Sequence, residues 1–264
     1  MEKYEVAVEQ FIEKRGYLSN PDVLGIVLYG SYTTGYQDAQ SDIDMHIIMS
    51  NNVQDIYRNE EKCNGFKIEY FEKPLHDLYE SANNDFLMQE NALLAIIGQG
   101  VILFDRCGEV KKLQAYVLKK YSVPLPPLDK DDAKEAAVII YNRIIQLQKI
   151  YDRKQIDFHY QYCLLVEKIR KFYSKKCGCP SIPVAKVLRI YTDEEYRKSV
   201  YKAKIPDAKF IELYLKALTC QSDKEKLDCI YELYDYTTQS LKIDPENYRI
   251  KIKSRNDPFN RIHE

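Results

Sequence analysis

Tryptophan is absent from the 264 residues, and no apolar run approaches the roughly 18 that a membrane-spanning helix needs. An excess of either charge is missing too. Lys and Arg number 39 against 40 Asp and Glu, a formal net charge of −1, so the chain carries no global signature of binding to a nucleic-acid polymer; only a local basic patch fits that balance. Cysteine occurs seven times but lacks zinc-finger spacing. Cys177-Gly178-Cys179 is the only close pair, and no second pair matches it. The opening Met1-Glu2-Lys3-Tyr4-Glu5 is too charged for a secretory leader, so reduced thiols and a cytoplasmic location are expected. No internal repeat or low-complexity segment appears. What is there is ordinary globular material, 45% hydrophobic and 30% charged, long enough for one large domain or two ordinary ones.

The stretch with the most chemistry is Leu24-Gly25-Ile26-Val27-Leu28-Tyr29-Gly30-Ser31, followed after a ten-residue loop by Asp42-Ile43-Asp44. An apolar, β-branched run that ends in Gly-Ser reads as a buried strand stopping at a tight turn. A second strand begins at the carboxylates. Residues two apart on a strand share a face, so Asp42 and Asp44 project side by side, with His46 on the same face and Ile43, Met45 and Ile47 on the other. His46 is expected to be a hydrogen-bonded histidine deeper under the sheet. Two adjacent carboxylates repel unless a cation sits between them. An oxygen-rich pair of this kind suits magnesium, which completes its shell with waters and phosphates.

Around this stretch the periodicities predict an amphipathic helix over 3–15, with Tyr4, Val8, Phe11 and Ile12 inward. A short helix is expected in the polar stretch 51–59. Asn64-Gly65 marks a turn into a third strand over 66–71, where Glu69 shares a face with Lys67 and Phe71. Helices are expected over 74–98 and 110–121, with a short buried strand at 101–104 between them. Val123-Pro124-Leu125-Pro126-Pro127 reads as an extended connector. Beyond it, helical periods at 131–151, 156–173, 184–191, 207–218 and 223–241 predict a bundle of about five helices, the last two opening on aspartates suited to N-caps. The expected division is therefore 1–122, a linker at 123–129, a helical domain at 130–243 and a basic tail at 244–264. In that tail Arg249, Lys251, Lys253 and Arg255 alternate with other residues and share one face if the segment is extended; a solvated tail is the default expectation, and closure over an anionic substrate or a partner subunit the sharper one.

Gly30-Ser31, a spacer, Asp42-Ile43-Asp44 and Glu69 between Ile68 and Tyr70 together resemble the DNA polymerase β-type nucleotidyltransferase superfamily. The resemblance covers about residues 24–71. In length, and in the strands around Glu69 and Leu103, the chain is similar to the bacterial aminoglycoside and lincosamide (kanamycin-type) nucleotidyltransferases. This implies an α+β protein: a nucleotidyltransferase fold with a mixed sheet flanked by helices, then an all-α bundle. It also implies transfer of a nucleoside monophosphate, AMP from ATP, to a hydroxyl of a small molecule, with release of pyrophosphate and two Mg2+ ions as cofactors. Asp42, Asp44 and Glu69 would be catalytic and metal-binding, and Gly30 and Ser31 would bind the triphosphate. Glu69 or a carboxylate of the helical domain would serve as general base, and a homodimer is implied. Two other readings stand beside it. Arg153 and His159 have a spacing that resembles helical ribonuclease toxins, and the fold could serve as a non-catalytic nucleotide-sensing module.

Overall fold

The computed structural model describes residues 3–250. In chain order the elements are α1 (Lys3–Arg15), β1 (Val23–Tyr29), the one-turn α2 (Ser31–Thr34), β2 (Ile43–Met49), β3 (Tyr57–Cys63), β4 (Phe66–Pro74), α3 (Leu75–Leu87), a π-helical turn (Leu94–Gly98), β5 (Val101–Asp105), α4 (Glu109–Tyr121), α5 (Lys130–Asp152), α6 (Phe158–Lys176), α7 (Val184–Thr192), α8 (Glu194–Val200), α9 (Ala208–Thr219) and α10 (Asp223–Thr238). They form two compact units. One holds residues up to Leu125 together with Ile182–Ala203, and the other holds Pro126–Ser181 with the described residues from Lys204 onward. The division thus falls inside the proline-rich connector, which has no regular secondary structure. However, α7 and α8 group with the sheet and leave four helices, α5, α6, α9 and α10, in the second unit among the described residues. Among those residues, no helix is long and apolar enough to cross a membrane.

The first unit is built on a mixed sheet of order β3-β4-β2-β1-β5, in which β2 and β4 run parallel and the other pairs antiparallel. Strict alternation on β2 sends Ile43, Met45, Ile47 and Met49 into one core with Val8, Phe11 and Ile12 of α1. Ile48 and Val27 join the opposite core with Leu78 of α3 and with Val110, Leu113 and Val117 of α4. Burial of side chains of this size stabilises the fold by about 1.5–3 kcal/mol each. Gly25 allows α4 to lie close against β1, because a Cβ there would stand 2.0 Å from a Val110 methyl.

Three expectations change. Residues 57–63 form an edge strand rather than the end of a short helix. Their polar residues face solvent in alternation, and the Asn64-Gly65 turn, with both residues at positive φ, folds the segment back on β4. The strand at 101–104 lies at the opposite edge, so Val101 and Leu103 are exposed rather than buried. His46 is buried, but among the described residues its Nδ1 has no hydrogen-bond partner; the ring stacks on Phe71 at 5.3 Å. Burial and the nearby Lys73 push its pKa down to about 4, so the imidazole is neutral.

In the second unit α5 opens on Asp129, which caps it through the Asp131 and Asp132 amides. Asp207 caps α9 through Phe210 N at 3.0 Å and also accepts the hydroxyls of Tyr173 and Tyr236, each at 2.6 Å. The cap of α10 is Ser222 rather than Asp223, paired with Glu225 in a reciprocal capping box. Of the cationic tail only Arg249 falls within the described residues; Lys251, Lys253 and Arg255 lie outside them.

Candidate active site

Two strand ends and one turn assemble the site. β1 stops at Tyr29 and the chain turns at Gly30 with φ 79° and ψ −152°, a backbone region closed to side chains. Space requires glycine as well, since a Cβ there would stand 2.1 Å from Asp44 Oδ2. Ser31 then opens α2, in which the Thr33 hydroxyl donates to the Gly30 carbonyl at 2.9 Å. The loop back to β2 is ordered by Asp38, which accepts from Gln40 N at 2.8 Å and from the Ser41 hydroxyl at 3.1 Å. It delivers Asp42 to the start of β2.

The register aligns Tyr29 of β1, Asp44 of β2, Glu69 of β4 and Glu60 of β3 in one row across the sheet. Residues paired in register point to the same face, so the row puts Asp44 between a phenol and Glu69. Each outer carboxylate has a cation. Lys67 Nζ lies 3.0 Å from Asp42 and 2.9 Å from Glu60, and Arg58 holds Glu69 at 2.6 Å. No ion pair to Asp44 is formed among the described residues. Burial, then the charges of Glu69 and Asp42, push its carboxyl up to about 6, against smaller opposing effects of Lys186 and Lys67. Burial together with Asp44 and Glu69 also raises the Tyr29 hydroxyl well above the ordinary tyrosine range.

A cleft of about 490 Å³ opens over this row. Gly30, Ser31, Asp42 and Asp44 line it; Glu69 does not and stays beside Asp44 on the sheet. The opposite wall comes from α7 and α8 and includes Lys186 and Arg189. The Arg189 guanidinium lies 4.9 Å from the ring of Tyr36 and 4.0 Å from that of Tyr196, while those rings meet edge-on at 4.9 Å. The stacking fixes the guanidinium in place, and Asp193 pairs with it loosely at 3.7 Å. These two cations are absent from the sequence reading, which assigned 184–191 to the bundle. Their spacing of three, each one position before the buried Val187 and Ile190, looks like any solvated helix edge. Among the described residues no group of three or more His, Cys, Asp or Glu stands ready to hold a metal. Arg153 caps the end of α5, and His159 lies in the first turn of α6 with Nε2 3.7 Å from Cys163 Sγ. Neither lines the cleft.

Residues 14–107 match the family model described as Polymerase beta, Nucleotidyltransferase. That span takes in all five strands, the Gly30-Ser31 turn and the three carboxylates. The fold is therefore that of a nucleotidyltransferase domain, joined to a helical second half. Across 90% of its length the chain is also similar to a nucleotidyltransferase-like protein from Exiguobacterium sibiricum 255-15, of which it covers 75%, with 12% identity and a TM-score of 0.48. No curated protein matches the chain.

Proposed function

We propose that the protein is a magnesium-dependent nucleotidyltransferase that moves AMP from ATP to a hydroxyl of a small molecule, an aminoglycoside or lincosamide antibiotic being the acceptor class. The observation that carries the reading is the close packing of the Gly30 turn against Asp44, with Asp42 beside it and a cationic wall across a cleft of about 490 Å³. In this reaction the acceptor oxygen attacks the α-phosphorus, the bond to the bridging oxygen breaks, and pyrophosphate leaves.

The donor set fits magnesium. The ion needs only one or two carboxylates beside phosphate oxygens and water, and Asp42 and Asp44 supply them. The carboxyl of Asp44, raised to about 6, marks a place with more negative charge than its neighbours neutralise, which a divalent cation would complement. Glu69 could join only by releasing Arg58. When bound, magnesium would neutralise the triphosphate and stabilise the attacking and leaving oxygens.

Other roles fall to the chain itself. Gly30 lets the phosphate-binding turn close against Asp44, and Ser31 offers its hydroxyl and N–H to the triphosphate. Lys186 and Arg189 attract the triphosphate from the facing wall. To take the proton of the acceptor hydroxyl, Glu69 would have to leave Arg58 and turn toward the cleft, which it does not line.

The test is magnesium-dependent pyrophosphate release from ATP across a panel of aminoglycosides and lincosamides. Release with one of them, abolished by Asp44→Asn, is the expected result. An Asp44→Asn variant as active as the parent would remove the metal-binding assignment. Release confined to acceptors of another class would keep the transfer and remove the antibiotic.

A further inference from the structure

The two cysteines at the junction of α9 and α10 stand apart from the other five. Cys220 follows the last residue of α9 and Cys229 lies two turns into α10, with their sulfurs 2.6 Å apart. Two thiols that do not bond rest at roughly the sum of their van der Waals radii, well beyond the ~2.05 Å of a disulfide. This pair sits closer to the bonded distance than to the resting one. It is also asymmetric. Cys229 is buried, and burial followed by its hydrogen bond with Cys220 pushes its thiol up to about 12, while Cys220 is partly open to solvent. The surroundings are firm: the Tyr162 hydroxyl of α6 donates to Ala217 O of α9 at 2.6 Å, and the Ser222–Glu225 capping box closes the short connection between the two helices.

We propose that Cys220 and Cys229 form a site of covalent modification, an intramolecular disulfide that ties the end of α9 to α10. The oxidant is a low-molecular-weight disulfide of the glutathione class. Cys220, the accessible sulfur, loses its proton and attacks one sulfur of the oxidant, giving a mixed disulfide and one released thiol. Cys229 then loses its proton and attacks Cys220, displacing the second thiol. Two protein thiols are oxidised, one small disulfide is reduced to two thiols, and no other electron acceptor takes part. The sulfurs already stand 2.6 Å apart, and the cross-link restricts the unfolded chain.

The experiment treats the full-length protein with oxidised glutathione, then counts thiols under denaturing conditions and maps peptides by non-reducing mass spectrometry. The expected count falls from seven by two for this pair, once glutathione carried by the exposed Cys107 and Cys163 is counted by mass, with a Cys220–Cys229 peptide lighter by two hydrogens and a melting midpoint raised by a few degrees. Under the same treatment Cys229→Ser should stop at glutathione attached to Cys220, and Cys220→Ser should gain no cross-link. Cys220 is the more open position, so its variant keeps the test usable where Cys229→Ser does not fold. Seven titratable thiols after treatment, stable glutathione on Cys220 of the parent, or a cross-link between other cysteines would each overturn the proposal.

Discussion

Replacing Asp44 by Asn should make the metal-free protein more stable while removing its activity. The carboxyl has an ordinary pKa of 3.8 and is raised to about 6 in the fold, chiefly by burial and then by Glu69 and Asp42. At about 1.4 kcal/mol per pH unit, that gap corresponds to about 3 kcal/mol of unfavourable free energy once the group is ionised. The side chain is only partly buried, and solvent screening brings the expected effect down to about 1–2 kcal/mol. Below about pH 4 the group is protonated in both folded and unfolded chains and contributes nothing. Between about 4 and 6 the folded chain holds the proton more tightly, so stability falls as pH rises, and above about 6 the loss is complete. Asn carries no charge and lacks this slope. Chemical denaturation in a chelator, with hydrogen exchange of the β1 and β2 amides to isolate the sheet, should show the two proteins alike near pH 4. At pH 8 the variant should be the more stable. Magnesium with ATP should stabilise the parent and not the variant. A variant no more stable than the parent at pH 8, or an advantage independent of pH, would refute the argument that Asp44 bears an uncompensated charge.

Further outcomes follow from other contacts. Gly30→Ala meets both positive φ and an Asp44 oxygen 2.1 Å from the new Cβ; it should cost at least about 1–2 kcal/mol in denaturant titration and lower nucleotide affinity. Lys186→Met removes a cation that lowers the pKa of Asp44. In the transfer assay it should raise the KM for ATP about tenfold or more, with the stability slope extending to higher pH. Tyr17→Phe deletes a half-buried hydroxyl donating to Glu72 at 2.6 Å and should cost about 1–2 kcal/mol by thermal unfolding, with activity retained. In the second unit, Arg170 is 1% exposed and held by Glu167 at 2.5 Å and 2.7 Å. Arg170→Met should destabilise the helices by about 1.5–3 kcal/mol, read by circular dichroism, because it removes two charge-assisted hydrogen bonds while Glu167 keeps partial access to solvent and Lys171 at 3.9 Å.

The sheet and its carboxylates were legible because their signals are local. Alternation along β2 put Asp42 and Asp44 on the face opposite Ile43 and Met45, and a Gly-Ser after an apolar run marked the turn. A two-residue period and a glycine at positive φ act within a few residues, so their patterns survive in one dimension. The edge strand β3 was missed for the same reason inverted. An edge strand needs only one apolar face, and Arg58, Glu60 and Lys62 left too little apolar alternation to read. The charges of Arg58 and Glu60 make sense only against Glu69 and Lys67 on the neighbouring strand.

By itself, then, the sequence determined the class: a mixed sheet with the Gly30-Ser31 turn and two aspartates at a strand start, followed by helices. The tertiary structure decided what sequence distance hides. It tied Glu69 to Arg58, left Asp44 with the charge its neighbours do not neutralise, and brought Lys186 and Arg189, more than a hundred residues downstream, to the wall facing Ser31. Helix periodicity tells which residues face inward but not which unit a helix joins, and the pairing of charges depends on distances that exist only once the chain has folded.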